Sequence, residues 1–147
     1  MDDLLKILDQ AYDQRSWHGP NLRGSIRGMT REQALWRPQP RRHNCCEIVV
    51  HAAYWKYVVR RRLLGEKRGS FPLKGSNWFL RSQESSDQQW RADLALLEDM
   101  HRTLRQAIAD FPRKQLHQTP GGSETSNFAL ISGIAAHDLY HAGQING

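Results

Sequence analysis

The stretch NCCEIVVHAAYWKYVVRRRLLG, residues 44–65, decides the fold because it contains both ends of one long helix. Asn44 is a good N-cap residue, and Glu47 stands three residues later, close to the capping-box pattern. Gly65 is the natural stop, since glycine readily takes the left-handed conformation that ends many helices. Between these ends, apolar residues recur at three- and four-residue steps, which predicts one inward face. These residues are Ile48, Ala52, Trp55 and Val59.

Three further long helices are predicted from the same period. The first runs from about residue 3 to residue 15, the third from residue 85 or 86 to just before Pro112, and the fourth from between residues 124 and 127 towards the C-terminus. Four amphipathic helices predict an all-α fold, a four-helix bundle. Because 147 residues suit one hydrophobic core, we expect a single domain over residues 1–147.

Shorter elements are predicted between the first two long helices. Pro20 is expected as the first residue of a renewed helix through Ile26, because the N–H that proline lacks would be unpaired there anyway. Thr30 and Gln33 then form a capping-box pattern for a short turn. The sequence therefore predicts a broken connection before residue 44.

A long crossover loop is predicted between the second and third helices. Residues 66–86 contain Gly69, Pro72, Gly75 and several serines, and show no sustained period. Connections longer than about 12–15 residues are uncommon and are often binding loops. The segment FPLKGSNWF, residues 71–79, therefore has two interpretations. It covers a pocket, or its aromatic side chains plug the side of the bundle.

Histidines on the predicted inward faces indicate a metal site. His137 and His141, in GIAAHDLYHAGQI, lie four residues apart, which places their Cβ atoms about 5–6 Å apart on one helix face. His51 lies beside the apolar stripe of the second helix and is predicted to supply a third ligand. Each buried ring nitrogen left unpaired costs about 1–3 kcal/mol, and a metal ion satisfies all three together. His101, on the third helix, is a candidate fourth ligand or a hydrogen-bonded core residue.

Spacing alone leaves the identity of the site open. Three imidazoles suit zinc, nickel, copper and iron alike. The same residues also fit core histidines that bond to one another and to water.

Composition excludes several other classes. The longest uncharged apolar run is far shorter than the ~20 residues of a membrane span, and the N-terminus does not resemble a secretory signal, so a cytoplasmic location is expected. The adjacent Cys45 and Cys46 fit a reducing compartment. The net charge is +6, with basic residues gathered around residues 60–74. Because arginine near a helix C-terminus complements the helix dipole, this charge is weak evidence for nucleic-acid binding, which we do not expect.

The chain resembles the DinB/YfiT-like superfamily of small four-helix proteins. The resemblance rests on residues 44–65, on DQQWRADLALLEDMHRTL at residues 87–104, and on the histidine pair of residues 133–145. It implies that His51, His137 and His141 hold a divalent metal, usually zinc or nickel. It also implies a hydrolase or a thiol S-transferase that uses a low-molecular-weight thiol, and a homodimer.

Three neutral imidazoles would leave a metal ion with an open position for water or for a thiolate. Water favours hydrolysis of a small-molecule substrate, and thiolate favours transfer. Glu47 and Asp138 are the candidate carboxylates for the outer N–H groups of the ligating rings. The competing hypothesis is a non-catalytic bundle, a binding or dimerisation module with a structural metal or none.

Overall fold

The computed structural model describes residues 2–147, which contain six α-helices and no β-strand. In chain order the helices are α1 (Asp2–Tyr12), α2 (Leu22–Ile26), α3 (Arg31–Leu35), α4 (Cys45–Leu64), α5 (Asp87–Ala109) and α6 (Asn127–Asn146). A single 3₁₀ turn, Arg113–Gln115, follows α5. The four long helices are α1, α4, α5 and α6, so the prediction of an all-α bundle is confirmed. The long crossover lies between α4 and α5, as predicted.

The ends of α4 follow the local sequence signals. The side chain of Asn44 accepts a hydrogen bond from the backbone N–H of Glu47 at 2.9 Å, and the Glu47 carboxylate accepts one from the N–H of Asn44 at 3.1 Å. Gly65 ends the helix with a φ of 69°, in the left-handed region. The predicted capping box and glycine stop are therefore both confirmed.

Two predicted boundaries are wrong. The first helix ends at Tyr12 rather than near residue 15, because the N–H of Gln14 reaches back to the carbonyl of Asp9 at 2.8 Å and closes the last turn. Pro20 is not the first residue of α2. Asn21 caps that helix instead, since its side chain accepts a hydrogen bond from the N–H of Gly24 at 2.8 Å, and the first helical residue is Leu22, two residues after Pro20.

The helix α4 is buried over more of its circumference than one stripe predicts. Ile48, Ala52 and Val59 are buried as expected, whereas Trp55 lies half-buried at the edge of the bundle. Val49 and Ala53, outside the predicted stripe, are fully buried. The reason is position, because α4 packs against α3, α5 and α6 and is the central helix.

The core consists of two apolar clusters with a polar layer between them. One cluster joins α1, α6 and the C-terminal halves of α4 and α5. The other joins α2, α3 and the N-terminal halves of α4 and α5. Between the clusters lie Lys56 and Asp138, whose side chains are fully buried and form an ion pair, with His101 beside them. No helix within residues 2–147 combines the length and hydrophobicity needed to cross a bilayer.

Candidate metal centre

Three histidines converge where α4 crosses α6. His51 projects from α4, and His137 and His141 project from successive turns of α6. Nε2 of His137 lies 3.1 Å from Nε2 of His51 and 3.2 Å from Nε2 of His141. One ligand nitrogen from each ring falls within 4.8 Å of the other two. A tetrahedral site with metal–nitrogen bonds of about 2.0–2.1 Å needs ligand nitrogens about 3.3 Å apart, so the spacing suits a metal ion.

The outer nitrogens of two of these rings face oxygen acceptors. Nδ1 of His51 lies 2.9 Å from the backbone carbonyl of Asn77, and Nδ1 of His141 lies 2.8 Å from Oε1 of Gln144. An oxygen of this kind only accepts, so each Nδ1 carries the ring hydrogen and each Nε2 presents a lone pair to the centre. This arrangement is the usual one for histidines that bind metals.

Burial keeps the centre uncharged. Removal from water lowers the pKa of His51 to about 4, although the Asn77 carbonyl opposes this effect. Burial, reinforced by the neighbouring imidazoles, lowers the pKa of His137 to about 3, and burial also lowers the pKa of His141. All three rings are therefore neutral at pH 7 and able to donate lone pairs.

The nitrogens cannot satisfy one another without a further group. His137 carries one ring hydrogen, and its Nε2 faces lone pairs from both His51 and His141. Even with that hydrogen on Nε2, only one of the two contacts becomes a hydrogen bond. Nδ1 of His137 has no partner in the described part of the chain, so no acceptor there determines which ring nitrogen carries the hydrogen. A divalent cation would accept all three lone pairs, so the residues present fit a metal ion.

Residues of the crossover loop cover the centre. The indole of Trp78 stacks on the imidazole of His51 with ring centroids 3.8 Å apart, and its other face stacks on His43 at 3.5 Å. Asn77 has a φ of 66°, and its side chain accepts a hydrogen bond from the indole N–H of Trp55 at 2.8 Å. Phe79 is buried against Tyr54 on α4. The loop thus does both of the things that the sequence suggested, since it covers the histidines and plugs the bundle's side.

Neither candidate carboxylate is hydrogen-bonded to a ligand ring, so the expectation that Glu47 and Asp138 accept the outer N–H groups is wrong. Glu47 accepts hydrogen bonds from the guanidinium of Arg37 at 2.7 Å and from the backbone N–H of Arg81 at 3.0 Å, as well as capping α4. Asp138 pairs with Lys56. Both carboxylates serve to hold the fold. A backbone carbonyl and an amide oxygen take their place at the histidines, and no residue-type pattern in the sequence reveals a backbone acceptor.

His101 is also separate from the metal centre. Its ring stacks on Tyr12 with centroids 3.6 Å apart, and its Nδ1 lies 3.2 Å from Nζ of Lys56. It is not part of the three-histidine group. Of the two readings of the sequence, the hydrogen-bonded core residue is the one that the structure supports.

Fold and centre together define a class, namely a helical bundle in which two facing long helices bring three neutral histidines together. A family model of the DinB superfamily matches residues 14–145 of the chain. The chain therefore belongs to the DinB superfamily, as its sequence motifs indicated. No match was found among curated proteins or among solved structures.

Proposed function

We propose that this protein is a metal-dependent enzyme that acts on a small molecule, with a divalent cation held by Nε2 of His51, His137 and His141. The observation that carries the proposal is the convergence of three neutral ring nitrogens that cannot satisfy one another. Family membership favours zinc or nickel as the metal and hydrolysis or thiol S-transfer as the reaction. When bound, the cation would activate water or a thiol at an open position.

The make-up of the centre favours catalysis over a structural role. Structural zinc sites are usually closed by four protein ligands, whereas catalytic sites keep one position free. Within residues 2–147 the group of metal-binding side chains has three members and no fourth. His137 is partly exposed while His51 and His141 are buried, so solvent and substrate have access from the side of His137.

The chain's own residues prepare this chemistry. The carbonyl of Asn77 holds a hydrogen on Nδ1 of His51, and Gln144 does the same for His141, which fixes both lone pairs towards the cation. Trp78 keeps water off the face of His51 against which it stacks. The protein thus orients two of the ligand rings and keeps water away from one face of His51.

Metal analysis of the purified protein tests the proposal. Because the chain has one three-histidine site, we expect about one divalent ion per chain in the parent protein. Most of this metal should be lost in His51→Ala and in His137→Ala. His18→Ala, at an exposed position, is the matched control and should retain the metal. Equal metal content in all four proteins would overturn the proposal.

A second experiment separates an enzyme from a non-catalytic bundle. Cobalt(II) loaded into the site is titrated with 2-mercaptoethanol while the near-ultraviolet absorption is followed. An open position predicts a new thiolate-to-cobalt charge-transfer band, and a closed site predicts no change. A screen of small thiols, esters and electrophiles on the zinc and nickel forms would then decide between transfer and hydrolysis.

A further inference from the structure

A basic cleft adjoins the metal centre along the C-terminal half of α4. Its volume is about 680 Å³, and it lies between that helix and the loop of residues 68–76. Four cationic residues and no carboxylate line it. The cationic residues are Arg61, Arg62, Arg68 and Lys74.

These cationic groups are not neutralised within the described part of the chain. None of the four lies within ion-pair distance of a carboxylate, and the neighbouring Glu66 pairs with Arg60 instead, at 3.1 Å. Nε of Arg61 is buried without a hydrogen-bond partner. Complementing the helix dipole accounts for charge in the last turn of α4, but not for Arg68 and Lys74, which lie on the opposite wall. A concave surface of one charge attracts an ion of the other.

The floor of the cleft is aromatic and held in place. Phe71 packs edge-on against Tyr54 and tilted against Tyr57, with ring centroids 5.3 Å apart in both pairs. The hydroxyl oxygen of Tyr57 accepts hydrogen bonds from the backbone N–H groups of Gly69 and Ser70, at 3.1 and 3.3 Å. These bonds tie the loop to α4, so the cleft exists before a ligand arrives.

One wall is shared with the metal centre. Trp55 lines the cleft, and its ring centroid lies 6.5 Å from those of both His51 and His137. Ser76, also in the lining, precedes Asn77, whose carbonyl orients His51. A molecule that contacts Trp55 in the cleft would therefore be separated from His51 and His137 by one aromatic ring.

We infer that this cleft binds a small organic anion, a molecule with a carboxylate or phosphate group and an apolar part, and presents it to the metal centre. The anionic group lies among the arginines, and the apolar part lies on the tyrosine and phenylalanine rings. Guanidinium groups suit carboxylate and phosphate because they donate two parallel hydrogen bonds. The inference rests on the proposed function for the role of the anion as substrate, whereas binding itself does not require the metal.

The test uses phenyl phosphate as the probe, with metal-free protein labelled with nitrogen-15 for NMR. We expect saturable shifts of the amide signals of residues 68–76. Affinity should fall about tenfold or more in Arg62→Gln/Arg68→Gln, because both positions donate charge-assisted hydrogen bonds. The control Arg91→Gln/Arg102→Gln removes the same charge at exposed positions on α5 and should leave affinity unchanged. Phenol, which lacks the charge, should bind far more weakly.

Several results would overturn the inference. One is a set of amide chemical-shift changes spread evenly over the protein surface. Another is an equal loss of affinity for phenyl phosphate in both double variants. A third is an oligonucleotide that binds the cleft more tightly than phenyl phosphate does. Phosphorus-31 relaxation in the cobalt-loaded protein then reports whether the bound phosphate lies near the metal. If the proposed function is wrong, phenyl phosphate still binds but cobalt does not load. If the cleft inference is wrong, cobalt loads and the phosphate signal is unaffected.

Discussion

The backbone carbonyl of Asn77 faces Nδ1 of His51 at 2.9 Å, in a residue whose φ is 66°. A left-handed backbone is unfavourable for most residues, but asparagine tolerates it better than others. Its side chain adds a second tie, the hydrogen bond from the indole of Trp55. The conformation of one loop residue therefore determines where a ring on α4 points.

We expect Asn77→Ala to weaken zinc binding about tenfold, since changes to the groups that orient a ligand commonly weaken metal affinity by about 10–100-fold. Alanine loses both the tolerance of positive φ and the bond to Trp55. Asn77→Gly loses only the bond and should have an intermediate affinity. Competition with a chromophoric chelator measures these values. Equal affinities for the alanine and glycine variants would show that backbone conformation has no part in the effect.

Trp78 is expected to slow the loss of metal because it stacks on His51 and His43 at once. Each aromatic contact stabilises by about 0.5–1.5 kcal/mol, so Trp78→Ala should speed zinc release roughly tenfold. The rate is measured by stopped flow with excess EDTA. Trp17→Ala is the control, because Trp17 is 95% exposed. An unchanged rate in Trp78→Ala would mean that the indole does not shield the centre.

The buried pair of Lys56 and Asp138 predicts a strong mutational asymmetry. Burial lowers the pKa of Lys56 and raises the pKa of Asp138, and their mutual attraction opposes both effects. Lys56→Met leaves the carboxylate buried and unpaired, so we expect the free energy of unfolding to fall by about 3–5 kcal/mol. Urea unfolding measures the change.

The double variant Lys56→Met/Asp138→Leu tests the cause. With both charges removed, the free energy of unfolding should recover most of the loss, because a well-packed apolar pair is often as stable as a buried ion pair. A double variant that is as unstable as the sum of the two single variants would indicate that packing, rather than charge, explains the single loss.

The stability of the metal-free protein should fall as the pH falls from about 6.5. Burial, together with the charges of Lys56 and Arg105, lowers the pKa of His101 from 6.5 to about 2. Below pH 6.5 the unfolded chain gains a proton at this residue that the folded chain does not, so each further pH unit destabilises the fold by up to about 1.4 kcal/mol.

Urea unfolding from pH 7 to pH 4 measures this slope. His101→Phe keeps a ring to stack on Tyr12 but does not titrate, and its slope should be flatter than that of the parent by about 1.4 kcal/mol per pH unit. Parallel curves for His101→Phe and the parent would rule out His101 as the source.

Local signals made the helices predictable. The capping box of Asn44 and Glu47 and the stop at Gly65 depend on residues within one turn of the helix end, so both ends of α4 can be predicted from the local sequence. The end of α1 was harder to predict, because Asp13 and Gln14 continue a helix as readily as they leave one. It is set by a backbone hydrogen bond that has no sequence signature.

The candidate site was likewise predictable only in part. Periodicity placed His51, His137 and His141 on inward faces, and the structure brings the three together. The contact of His51 with Asn77 could not be predicted from the sequence, because it joins residues 26 positions apart through a backbone carbonyl. The burial of Lys56 could not be predicted either, since a lysine among aromatic residues on a helix usually faces water rather than a buried aspartate.

The ion pair between the two apolar clusters also limits how the long helices can slide. A slip of α4 along α6 by one turn, about 5.4 Å, would separate the ammonium from its carboxylate and press both into hydrocarbon. Lys56 lies five positions after His51, and Asp138 directly follows His137. The same pair of charges therefore sets the axial register of α4 and α6 in which the three imidazoles, from two separate stretches of chain, lie side by side.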